Sequence, residues 1–158
     1  MDLRETRPAD AELDAMLRLL EGEGARLVNV GHGRSPASAA RARAFLDAWP
    51  GDVGAVVSWP AAAASWLRPA RRLAAGAPDA WVIADEPAGW AGIGPRLAAT
   101  GLWRAHATFA FTGLAGPRLP ALAGPESTEG LRGVTAGGRI WEINDGAAVF
   151  FTARGTGR

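Results

Sequence analysis

Residues 52–90 read DVGAVVSWPAAAASWLRPARRLAAGAPDAWVIADEPAGW, and their pattern decides the fold. Two short apolar runs, 53–57 and 81–84, are each bounded by turn-forming residues. Apolar runs of that kind mark parallel strands covered on both faces. The roughly twenty residues between them suit a helix crossing back over the sheet. Pro69 predicts a kink or a boundary in that helix, because proline lacks the N–H the ladder needs. Ser58-Trp59-Pro60 follows the first strand and Asp85-Glu86-Pro87 the second. In open α/β sheets, ligands bind beyond the carboxyl ends of the strands. An aromatic and a carboxylate are therefore expected side by side on one rim.

On the amino-terminal side, Leu13, Met16, Leu17 and Leu20 repeat at helical spacing and predict a helix over 9–21. RLVNV, residues 26–30, reads as the first strand. The Gly31-His32-Gly33-Arg34-Ser35-Pro36 stretch reads as a loop, with Ser35-Pro36 opening a second helix over 37–49. On the carboxyl-terminal side, a short helix over 91–100 is expected, then a strand at 108–112. A turn of helix is expected around 119–123. The tail changes period. Strand-like runs at 131–135, 139–143 and 147–152 flank Asn144-Asp145-Gly146, a hairpin signal. Residues 1–8 read as a frayed lead-in and 153–158 as a disordered tail. The expectation is one domain over 1–158. It is α/β and Rossmann-like, with a mainly parallel sheet of four or five strands, helices on both faces and a carboxyl-terminal β-hairpin.

Composition narrows the function. The net charge of +1 argues against a nucleic-acid partner. All 17 basic residues are arginine, and cysteine is absent. Disulfides, thiolate metal sites and a cysteine nucleophile are thereby excluded. The charged start, MDLRETRPADAELD, does not have the apolar core of a signal peptide. No apolar run approaches the roughly twenty residues of a membrane span. As written, the chain reads as cytoplasmic, with no membrane partner; as a piece of a longer receptor, it would be extracytoplasmic.

Glu86 is the first candidate for chemistry, because a strand-end carboxylate can accept hydrogen bonds from a ligand ammonium. Asp85 supports that loop, or caps the next helix as an ordinary structural residue. Trp59 would wall an apolar pocket, with Ser58 beside it. His32, in its Gly-His-Gly turn, suits proton transfer or a metal. Its turn, VGHGRSP, faintly resembles that of small cobalt chelatases. A metal needs companions, however, and His106 is expected at the opposite rim. Gly31–Ser35 could cradle a phosphate but matches neither the Walker nor the dinucleotide pattern. No cofactor is implied.

Three stretches carry a family resemblance. They are GARLVNV (24–30), DVGAVVSWPAAAASWLRPARRL (52–73) and LAGPESTEGLRGVT (122–135). In order and spacing, residues 9–135 resemble the second lobe of leucine/isoleucine/valine-binding proteins, within the type 1 periplasmic binding proteins. The resemblance implies recognition of a small, amino-acid-like ligand without catalysis. By it, Trp59 matches the family's aromatic position and Glu86 the acid that receives the α-ammonium. His32 is a looser match on the same rim. The family's other lobe is missing from the sequence, and the stretch 90–116 is longer than the family's connection. The resemblance therefore implies a first-lobe partner, a second copy of the chain, or a sensing or regulatory role on a retained fold. Two other readings stay open: a small enzyme or metal protein using His32 with Asp85 or Glu86, and a structural domain that associates through its first helix and hairpin.

Overall fold

Five parallel strands and an antiparallel hairpin form a single sheet in the computed structural model, which describes residues 10–63 and 65–151. The lead-in at 1–8 and the tail at 153–158 lie outside the described residues. The strands are β1 (Leu27–Gly33), β2 (Asp52–Trp59), β3 (Ala80–Ala84), β4 (Thr108–Ala110), β5 (Arg132–Val134), β6 (Ile140–Asn144) and β7 (Ala147–Phe151). Their spatial order is β2-β1-β3-β4-β5-β6-β7. The first five run parallel, and β6 and β7 return antiparallel beyond β5.

Among the described residues, five α-helices cover the sheet: α1 (Asp10–Gly22), α2 (Pro36–Ala48), α3 (Leu67–Ala74), α4 (Pro87–Ala99) and α5 (Leu119–Ala123). Alternation along β3 sorts them into two layers, because successive side chains point to opposite faces. Val82 and Ala84 join Met16, Leu20 and Phe45 in the core beneath α1 and α2. Trp81 and Ile83 join Leu73, Ile93 and Leu119 in the core beneath α3, α4 and α5. All five residues of β3 are buried, which explains why its sequence is apolar without alternation.

Three elements differ from the sequence expectation. β1 continues through Gly31-His32-Gly33, so the first half of the expected loop is strand. The reason is packing: a Cβ at Gly31 would lie 2.6 Å from the Trp59 ring. α4 begins at Pro87, four residues early, and carries Pro95 inside it. Gly89, Gly92, Gly94 and Pro95 make that segment a poor helix former by propensity. Burial of Trp90, Ile93 and Leu97 on one face overrides the weak propensity. The expected strand at 108–112 stops at Ala110, and Thr112–Leu114 forms a 3-10 turn. Elsewhere the reading matches closely. Pro69 lies in the first turn of α3, and Ser35 caps α2 by accepting the Ser38 N–H at 3.1 Å.

Glu12 reaches across the layers. Its carboxylate is fully buried. One oxygen takes the Arg41 Nε–H at 2.9 Å and the other the Thr112 N–H at 3.1 Å. α1, α2 and the end of β4 are thus tied at one point. At the far edge, Asp145 and Gly146 take the left-handed conformations that a tight two-residue hairpin needs. Glu129 accepts both of their N–H groups, at 2.7 and 3.1 Å.

Candidate functional site

The chain leaves β1 toward β2 on one side and returns past it to β3 on the other. β1 and β3 therefore flank the topological switch point, where the connections diverge to opposite faces and leave a crevice. A cleft of about 320 Å³ sits there, lined by Arg34 and Ser35 after β1, Pro60 after β2, and Asp85, Glu86 and Gly89 after β3. Its residues come from the carboxyl end of β1, the loops after β1, β2 and β3, and the first turn of α4.

Asp85 forms the buried wall of this cleft and is 8% exposed. Its Oδ2 accepts the Trp59 Nε1–H at 2.7 Å. Burial pushes its carboxyl up to about 6, and the Glu86 charge adds to this, while hydrogen bonds from Trp59 and the Glu86 amide oppose it. Room for the group is made by missing side chains. A Cβ at Gly33 or Gly89 would overlap the carboxylate, and one at Gly113 would overlap the Asp85 carbonyl oxygen. Glu86 is different. It is exposed, stands at the N-cap position of α4 and makes no side-chain cap bond. No ion pair holds it among the described residues. Two carboxyl groups thus meet at the cleft, one buried with a raised affinity for protons and one open to solvent beside a helix amino terminus.

Several sequence expectations require correction. Trp59 lies on the expected rim, but its indole is fully buried and lines no part of the cleft. Its ring packs in the core and its N–H is committed to Asp85. Asp85 does not cap α4, since Glu86 occupies that position. Ser58 pairs in register with His32, and neither lines the cleft. Both side chains alternate onto the α1/α2 face of the sheet, opposite the face that carries Asp85 and Trp59. His32 Nδ1 donates to the Gly33 carbonyl oxygen at 2.8 Å. A joint His32–Asp85 acid/base pair is therefore not assembled. Among the described residues, no three His, Asp or Glu side chains gather where they could hold a metal.

The glycines around Asp85 and the cleft residue Pro60 were not singled out for the site. Only Gly33 next to Arg34 and Ser35 carried a hint, through the phosphate-cradle reading. His106 stands, as expected, at the opposite end of the strands, in a separate cleft of about 200 Å³ with Asp79 and Arg104. No described helix is long and apolar enough to cross a membrane.

A mainly parallel sheet between two helix layers, with a cleft at its switch point, defines a Rossmann-like fold. No protein-family model matches the chain, and no curated protein matches it in sequence. Solved structures do match. A protein from Rhodospirillum rubrum, described as a branched-chain amino acid ABC transporter, superposes with a TM-score of 0.70 at 23% identity, over 81% of this chain and 37% of its own. The branched-chain amino acid transporter substrate-binding protein of Streptococcus pneumoniae, solved with isoleucine, gives 0.67 at 14% identity, over 78% and 35%. A substrate-binding periplasmic protein from Ralstonia solanacearum gives 0.63 at 18%, over 77% and 35%. The chain spans little more than a third of their length. It has the fold of a single lobe of a type 1 periplasmic binding protein.

Proposed function

We propose that the chain recognises a small ligand bearing an ammonium group, in the cleft between the ends of β1 and β3. Glu86 takes the ligand's cation and Asp85 backs it. Trp59 acts one step removed, by fixing the Asp85 carboxyl rather than by touching the ligand. Ser58 and His32 belong to the same end of the sheet and influence the cleft only through β1 and β2. The observation that carries this reading is the pairing of two carboxyl groups at a switch-point cleft. Small-ligand sites favour such places, and the ion pair with an ammonium is a charge-assisted contact.

A lone lobe leaves one side of the ligand open. Closure by a first-lobe partner or by a second copy supplies the missing wall, and the output is sensing or regulation. Titration calorimetry with a panel of amino acids and simple amines tests the reading. Saturable heat with at least one of them, weakened roughly tenfold or more by Glu86→Ala, supports it. No heat with any ligand, or heat indifferent to Glu86→Ala, removes it.

A further inference from the structure

A second cavity lies away from the strand ends. Residues 53–78 and 87–125 contain no aspartate or glutamate. The same segments hold Arg68, Arg71, Arg72, Arg96, Arg104 and Arg118. Of these, Arg68, Arg71 and Arg72 lie on α3 and Arg96 on α4, two helices with no carboxylate of their own, while Arg104 lies outside them beside Asp79. Between α3 and α4 runs a groove of about 370 Å³ whose lining includes Leu67, Arg71, Arg96 and Leu102.

The two arginines are available. Neither makes an ion pair among the described residues. Arg96 lies 5.8 Å from the centre of the Trp66 ring, a cation–π contact that orients the guanidinium while leaving its N–H edge free. The indole is itself fixed, donating to the Pro60 carbonyl at 3.3 Å. Leu67 and Leu102 are 43% and 65% exposed. Water therefore meets apolar rims around two unpaired cations. Planar guanidinium forks match carboxylates, and the rims match a hydrocarbon body. The volume is that of a small-molecule site.

We propose that the groove between α3 and α4 binds a small amphiphilic anion, a carboxylate carried on a short apolar chain. This site is distinct from the cleft at Asp85 and Glu86, and its charge preference is the reverse. Pro60 lines that cleft and accepts from Trp66, so the indole under Arg96 links the two places.

Calorimetry of the full chain with octanoate tests the proposal, with octylamine as the opposite-charge probe. The expected result is saturable one-site binding of octanoate, and no octylamine heat that Arg71→Gln or Arg96→Gln alters. Arg71→Gln or Arg96→Gln weakens octanoate roughly tenfold or more. Arg118→Gln, a change of equal charge outside the groove, and Glu86→Ala, in the other cleft, leave it unchanged. Melting curves check that each variant folds, which exposed substitutions should permit. Absence of saturable octanoate binding overturns the proposal, as does binding unaffected by both groove variants. Arginine-dependent binding of an acidic peptide or anionic vesicles without octanoate binding also overturns it, in favour of a macromolecular contact.

Discussion

Asp85 sits where its charge is costly, and the sign of that cost can be measured. Burial pushes its carboxyl up to about 6 from the ordinary 3.8. Between those values the folded chain holds the proton and the unfolded chain does not. Stability therefore falls as pH rises through this window, by about 3 kcal/mol for a shift of this size. Asp85→Asn keeps an acceptor for Trp59 and abolishes the proton. Urea melts should show the variant gaining on the wild type as pH rises from 3.8 to about 6, with the difference levelling off above that window. A constant difference would contradict the assignment. Trp59→Phe works in the other direction. It removes a donor that favours the charged form and should cost about 3 kcal/mol above the window, and less below it. Glu12 is a simpler case. Glu12→Ala leaves Arg41 and the Thr112 N–H without their buried acceptor, and chemical denaturation should register a loss of about 3 kcal/mol.

Secondary structure was legible where local pattern and burial agree. β3 could be read because a strand covered on both faces admits only apolar residues. The hairpin could be read because Asp145-Gly146 meets the dihedral demand of its turn. The sequence predicts too short an α4 because its glycines argue against helix, and only the surrounding packing reverses that. The extension of β1 was missed for a related reason. Gly31 and Gly33 resemble loop residues, yet they are small because Trp59 and Asp85 press against the strand. Those partners lie 28 and 52 residues away in sequence. Glu12 is an extreme instance, with a partner 100 residues distant. At the hairpin, Glu129 holds both turn amides. Glu129→Ala should lower stability by about 1 kcal/mol, and hydrogen exchange should quicken in β6 and β7 before the parallel strands.

The two cores are not independent bodies. β3 supplies side chains to both, and β1 lies between β2 and β3 in the same sheet. Loss of either layer strips cover from shared strands. Unfolding should therefore be one transition, with tryptophan emission, weighted to the α3/α4 core, coincident with far-ultraviolet dichroism. Two separated transitions would show that the layers fold apart. At this scale the sequence placed the carboxylates at the correct end of the sheet. It could not place the indole, because a strand-end tryptophan turns inward or outward according to neighbours that belong to other segments.

The bond between Trp59 and Asp85 joins a chromophore to a titrating acid. An indole so placed experiences a different electric field whenever the acid gains or loses its proton. Its emission colour should follow that event, and should shift again if a cation settles nearby. Wild type compared with the Trp59→Phe protein would isolate this signal from the other six indoles. The molecule thus carries an optical gauge of its own cleft, and no label has to be attached to read it.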